Sequence, residues 1–144
     1  LLRHTVISIG KLRSNLDIAS AADIETMLVD EITGSLNGSF DVVVEASGSE
    51  SGFATALDLV RPRGTIVLKS TFHGTPTWNA SRVVVNEISV VGSRWGRFAP
   101  AVDLLESGRI DVTRLIGGKM PLSDGVSAMG EASKKGALKI LLAP

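Results

Sequence analysis

Short β-branched runs alternate along the chain with segments whose apolar residues recur every three or four positions, the layering of an α/β protein with a mainly parallel sheet. Six runs read as strands: Thr5 to Ile9, Glu25 to Val29, Phe40 to Ala46, Thr65 to Lys69, Ile88 to Gly92 and Leu138 to Leu142. The clearest is Phe40 to Ala46 (FDVVVEA), apolar on both sides of the pleat, which predicts a strand buried between two helix layers. The polar ITGSLNGS stretch has no period and predicts a loop. Arg61-Pro62-Arg63-Gly64 predicts a turn, and Phe72 to Ser81 an irregular passage leading through Val83-Val84-Val85 to the next strand.

The helices carry their own start and stop signals. Ser14 is placed to cap a helix reaching about Ala22, with Asp17 three residues on and Leu16 and Ala19 facing inward. Ser47 with Glu50 fits a capping box ahead of Phe53, Leu57 and Val60 at helical spacing. Pro100 suits a first turn, Val102 and Leu105 face inward, and Gly108 closes that helix. A last helix starts near Ser123 or Asp124, turns Val126 and Met129 inward, and ends on Lys134-Lys135-Gly136.

Composition narrows the chemistry. The chain has 144 residues, enough for one core, and its 15 Lys+Arg balance its 15 Asp+Glu. There is no global basic field for nucleic acid or an anionic membrane, so any anion site must be local. With no cysteine and only His4 and His73, the chain forms neither a disulfide nor a Cys/His zinc site of its own. The absence of tyrosine removes the Tyr-based proton donor on which one large class of nicotinamide reductases depends. No apolar run approaches the roughly 20 residues that span a bilayer, and a soluble cytoplasmic protein is expected. The chain opens on Leu1 rather than Met, within ten residues of its first strand end, as a chain starting inside its own domain would.

In an open parallel sheet, ligands bind beyond the carboxyl ends of the strands. Those positions are Gly10-Lys11, Ser47-Gly48, Ser70-Thr71 and Ser93-Arg94, whose small side chains and free backbone amides suit a flat, phosphate-bearing cofactor. Dinucleotide folds use an acid after the second strand to hold the ribose hydroxyls, whereas a 2′-phosphate requires that acid absent and cations near. Here stands Gly10, followed by Lys11, Arg13 and the helix-start amides of Ser14 and Asn15, a set that favours a phosphate. The plain alternative is that Lys11 and Arg13 are solvated loop charges. His73 reads as a loop histidine with a structural hydrogen bond more than as a proton donor. Glu45 is expected to bond neighbouring loop amides, and Trp78 and Trp95 to serve in packing or as pocket walls. No catalytic residue and no metal ligand is assigned.

FDVVVEASGSESGFATALDLVRPRGTIVL, then VVVNEISVVGSRWG, AVDLLESGRID, PLSDGVSAM and ALKILL, resembles the C-terminal half of the medium-chain dehydrogenase/reductase family, the zinc-type alcohol dehydrogenase-like proteins. The likeness runs from about Thr5 to Leu142. It implies a partial Rossmann-type, doubly wound nucleotide-binding domain over residues 1–108 and a return segment of the catalytic domain over 109–144. It implies that Gly10, Lys11, Arg13 and Ser14 handle the adenosine ribose or its 2′-phosphate, and that Ser47 and Gly48 pack by the adenosine half. Ser70 and Thr71, with Gly92, Ser93 and Arg94, fall where backbone groups hold the nicotinamide, and Lys139 where a cation reaches the pyrophosphate.

The implied activity is hydride transfer between NADP(H), with NAD(H) as the other candidate, and an alcohol or aldehyde/ketone. A homodimer through the edge strand Ile88 to Val91 is also implied. The family's first strand, its G-x-G-x-x-G turn and its barrel-like catalytic domain with zinc have no counterpart in these residues, so zinc is expected only in that N-terminal half and the isolated chain is expected to be inactive. The missing strand is the central one, so two buried strand edges should lack a partner. Two other classes stay open, an S-adenosylmethionine-dependent methyltransferase and a non-catalytic nucleotide-binding or oligomerisation module. Against the methyltransferase, Gly10-Lys11 stands where that fold wants an acid, and the chain end shows no antiparallel hairpin signal.

Overall fold

β-Branched and helical segments condense in the expected alternation. The computed structural model describes residues 4–71 and 77–144, so the expectation for His73 lies outside the described residues. The order is β1 (Ile7–Gly10), α1 (Arg13–Ser20), β2 (Glu25–Leu28), β3 (Phe40–Glu45), α2 (Glu50–Leu59), β4 (Val60–Leu68), α3 (Ala80–Val85), β5 (Ser89–Gly92), α4 (Phe98–Glu106), β6 (Ile116–Pro121), α5 (Gly125–Ala132) and β7 (Lys139–Ala143). Every strand pairing among the described residues is parallel, in three sheets: β1-β2, β3-β4-β5 and β6-β7. Among the described residues, β1 pairs only with β2, and β3 is an edge strand next to β4. The chain forms two compact units, Glu31–Trp95 and the pair of segments Leu1–Asp30 and Gly96–Pro144.

In the Glu31–Trp95 unit, α2 lays Phe53, Ala56 and Leu57 on the sheet, where they meet Val60, Ile66 and Ile88 in one core with Ile66 at 0% exposure. The helix begins two residues later than a Ser47 cap would place it. The Ser49 hydroxyl accepts the Gly52 amide at 3.2 Å, because Ser47 turns its own hydroxyl to Glu45. β3 covers only one face. Val43 and Glu45 point to the α2 side, while Val42 and Val44 remain 55% and 59% exposed, against the expectation of burial on both faces. No second helix layer covers that face among the described residues.

Arg61-Pro62-Arg63-Gly64 sits within β4 as a bulge. Phe40 pairs with Val60, then Val42 with Thr65, so residues 61–64 are extruded from the ladder. Arg63 takes φ +61° there, its amide donating to the Asn86 carbonyl at 2.8 Å, and Arg61 Nε meets Asp41 at 2.6 Å. Val83-Val84-Val85 belongs to α3 rather than leading extended into β5. Asn79 caps the Ser81 amide at 3.0 Å, and Arg82 ties the helix to Asp58 at 2.6 Å and to the Leu57 carbonyl at 3.0 Å, which outweighs the β-branched preference. The ITGSLNGS stretch folds one 3-10 turn at Gly34–Leu36.

In the other unit, α1 packs on β1 and β2 with Leu16 buried. Its first turn starts on the Leu12 carbonyl, which accepts the Asn15 and Leu16 amides at 3.1 and 3.2 Å. Ser14 therefore lies inside the helix and does not cap it. β6 went unread because its Gly117-Gly118 and Pro121 look like a loop, yet it pairs with β7 from Ile116↔Lys139 to Pro121↔Ala143 under α5. α5 turns Ala128 inward and leaves Val126 and Met129 91% and 74% exposed, the reverse of the expected stripe. In α4, Val102 and Leu104 are half-buried and Leu105 is exposed.

Candidate functional site

Glu45, the last residue of β3, is a carboxylate at 4% exposure. Its Oε1 accepts the Ser47 amide at 2.8 Å and the Ser47 hydroxyl at 2.6 Å. Burial alone pushes the carboxyl up, but the Ser47 and Ser70 hydroxyls and the Ser47 amide outweigh it and hold the group below its ordinary value. Ser70 Oγ also accepts the Gly48 amide at 2.7 Å, and the Lys69 amide donates to the Glu45 carbonyl at 2.8 Å. Thus Ser47 is bonded to Glu45 and Gly48 to Ser70, and Glu45 bonds a neighbouring loop amide as expected.

The amides are not free, however. Ser47 N–H goes to Glu45, Gly48 N–H to Ser70, Ser49 N–H to Ser47 Oγ at 3.2 Å and Ser93 N–H to the Leu68 carbonyl at 2.9 Å. The loops satisfy one another because each amide beyond a strand end must find an acceptor. Gly52 is part of this arrangement: a Cβ on it would stand 1.9 Å from Ser47 Oγ, so only glycine lets α2 start this close to the loop.

The loop after β5 is tied in from the other side. Lys69 Nζ donates to the Arg94 carbonyl at 2.7 Å, while the Arg94 guanidinium lies over the Trp95 ring at 5.1 Å. Gly92 ends β5 opposite Leu68, and Thr71 is exposed. Trp78 packs edge-on against Phe53, with centroids 5.6 Å apart, in keeping with a packing role. Sequence reasoning overlooked Ser49, Gly52 and Lys69; the signal available was the serine-glycine alternation behind a strand-end acid.

At the end of β1, a Cβ on Gly10 would meet Leu16 Cδ2 at 3.1 Å, so a side chain there would require Leu16 to give by a few tenths of an ångström. Lys11 and Arg13 follow, both exposed. Lys139 opens β7 beside an apolar cleft lined by Leu115, Ala132, Ala137, Leu138 and Ile140. Among the described residues no group of three or more His, Asp or Glu could hold a metal, so these residues do not fit a zinc site. Nor is any helix among them long and apolar enough to cross a membrane.

The sequence profile of the family described as zinc-binding dehydrogenase matches residues 11–107. The chain belongs to this family. Among curated relatives of this zinc-binding dehydrogenase chain, D-arabinitol dehydrogenase 1 of Uromyces fabae is 31% identical over 109 residues, 73% of this chain and 31% of that protein. The chain thus spans about a third of such a relative's length. L-idonate 5-dehydrogenase from Escherichia coli superposes with a TM-score of 0.87 at 24% identity, covering 96% of this chain and 42% of that one. A Sinorhizobium meliloti protein solved bound to NADP gives 0.81 at 22%, covering 97% and 45%. The fold is therefore the Rossmann-type α/β fold of the zinc-binding dehydrogenases, and the methyltransferase reading falls away.

Proposed function

We propose that this chain is the cofactor-binding part of an NADP(H)-dependent oxidoreductase acting on an alcohol and its aldehyde or ketone, with residues 1–108 as the nucleotide-binding region and 109–144 as a return segment of the catalytic domain. A relative named for D-arabinitol makes a polyol the first substrate class to try. When bound, the nicotinamide would exchange the hydride with the substrate. In this reading Gly10, Lys11, Arg13 and Ser14 take the adenosine ribose and its 2′-phosphate, and Ser47 and Gly48 lie by the adenosine half. Ser70, Thr71, Gly92, Ser93 and Arg94 take the nicotinamide, and Lys139 the pyrophosphate.

The observation that carries the proposal is the end of β1. Glycine at position 10 presents no carboxylate, and two exposed cations follow within three residues. A monoanionic or dianionic phosphate gains charge-assisted hydrogen bonds there, whereas an unphosphorylated ribose finds no carboxylate side chain at position 10 for its hydroxyls. Titration calorimetry should give tighter binding of NADPH than of NADH, with Lys11→Ala and Arg13→Ala narrowing the gap. Equal affinity for the two cofactors in the unsubstituted chain would overturn the preference. β5 is the edge of its sheet with Val90 and Val91 exposed, which supports pairing with a second copy; sedimentation at monomer mass at all concentrations would remove that part.

A further inference from the structure

We infer that Lys69 is a positioning residue: its ammonium group holds the loop after β5 by the Arg94 carbonyl, so that the loops beyond β4 and β5 meet a ligand as one edge. The part of the ligand that this edge serves, the nicotinamide half, rests on the cofactor reading above; the tie between the two loops does not.

The need for a tie follows from where the parallel ladder stops. β4 is the middle strand, and its last residue, Leu68, stands opposite Glu45 on one side and Gly92 on the other. One step further, backbone bonds still hold both neighbours: the Lys69 amide donates to the Glu45 carbonyl at 2.8 Å, and the Ser93 amide donates to the Leu68 carbonyl at 2.9 Å. After that the chain following β4 is engaged with β3, where Ser70 Oγ accepts the Gly48 amide at 2.7 Å. The next bond to the β5 loop is made by a side chain, with Lys69 Nζ donating to the Arg94 carbonyl at 2.7 Å.

Lysine suits this position. Leu68 packs against the core while Lys69, the next residue, is exposed, and a flexible four-carbon stem lets its ammonium reach a neighbouring loop without leaving water. A charged donor also makes a shorter and stronger bond to a carbonyl than a neutral one. The Arg94 side chain is engaged separately, its guanidinium lying over the Trp95 ring at 5.1 Å. Residue 94 is therefore held twice, through its main chain by Lys69 and through its side chain by Trp95. Lys69 in turn holds both neighbours of β4, one through its amide and one through its ammonium. Any residue other than proline would supply the amide bond, but only a long cationic side chain supplies the second, so substitution separates the two.

Lys69→Met keeps a long stem and the amide bond and removes the ammonium. In the ligand-free chain labelled with ¹³C and ¹⁵N, it should move the Arg94 carbonyl carbon upfield and shift the Trp95 indole resonance, while the Ile66 amide in the core stays in place. Lys69→Arg, which can still donate to the carbonyl, should return the Arg94 carbon most of the way. An Arg94 carbon that Lys69→Met leaves where it was overturns the inference, whether or not a cofactor binds. In titration calorimetry, Lys69→Met should weaken NADPH about fivefold, the size of one exposed charged contact, and leave 2′,5′-ADP, which has no nicotinamide, unchanged. Equal weakening of both ligands would also overturn the positioning role, since Lys69 would then act on the phosphates or on the fold as a whole. If neither ligand binds the unsubstituted chain, the cofactor reading fails instead, and the Arg94 carbon still decides the tie.

Discussion

Replacing Gly52 by alanine should destabilise the Glu31–Trp95 unit, although the same replacement in a helix ordinarily stabilises. The added Cβ would lie 1.9 Å from Ser47 Oγ, 2.7 Å from Ser47 Cβ and 2.9 Å from Glu45 Oε1. Rotating the Ser47 hydroxyl away relieves the first contact but breaks its 2.6 Å bond to the carboxylate, a loss of roughly 1.5–3 kcal/mol for a hydrogen bond to a charged group. The second contact is to an atom fixed on the backbone, so the loop or the helix start must move, and crowding of this kind costs about 1–3 kcal/mol. Against these stands the helix preference for alanine over glycine, up to about 1 kcal/mol. The net expectation is a loss of about 2–4 kcal/mol.

Gly130 provides the control. It lies within α5, and a Cβ there meets nothing within 4 Å, so Gly130→Ala should stabilise by about 0.5–1 kcal/mol. Native-state hydrogen exchange judges each substitution in its own unit, through the β3 and β4 amides for position 52 and the β6 and β7 amides for position 130. Opposite signs are expected. If Gly52→Ala raises protection as Gly130→Ala does, the close approach of α2 to the Ser47 loop is wrong.

Two further outcomes are expected of the same unit. Ile66, fully buried in the sheet centre, should lose about 2–5 kcal/mol on Ile66→Ala and about 0.5–1.5 on Ile66→Val, read by urea denaturation; a small loss on Ile66→Ala would mean the core is elsewhere. Because the folded carboxyl of Glu45 lies below its ordinary value near 4.5, its contribution is fully present above that value and is lost as pH falls through the folded one. Urea midpoints measured downward from about pH 6 should therefore fall less steeply in Glu45→Gln than in the unsubstituted chain, and equal slopes would contradict the hydrogen-bonded carboxylate.

Most of the strand ladder was legible because it rests on local pattern. TVISI, FDVVVEA, TIVLK and ISVVG overlap β1, β3, β4 and β5 within a few residues, and the Phe53, Leu57 and Val60 spacing found the core. What stayed hidden depended on tertiary partners. The triple valine of α3 reads as strand until Arg82 is seen bonded to Asp58 and the Leu57 carbonyl. β6 reads as loop until β7 supplies the other side of its ladder. A run such as VVV in β3 says what a strand is able to bury; whether a covering layer exists is a property of the rest of the fold, and here Val42 and Val44 lack one among the described residues.

The candidate site shows the same division at Gly10. From the sequence, the glycine counts as evidence for a phosphate because it is not an acid. In the structure it has a second cause, since a Cβ there would stand 3.1 Å from Leu16 Cδ2 and crowd it, with or without a cofactor. The packing cause lowers the weight of the glycine as a sign of cofactor preference but not its chemical effect: whichever cause placed it, position 10 carries no carboxylate. Under the proposed function, the discrimination between cofactors then rests on the charges of Lys11 and Arg13, both exposed. Their charge is what a 2′-phosphate uses and an unphosphorylated ribose does not.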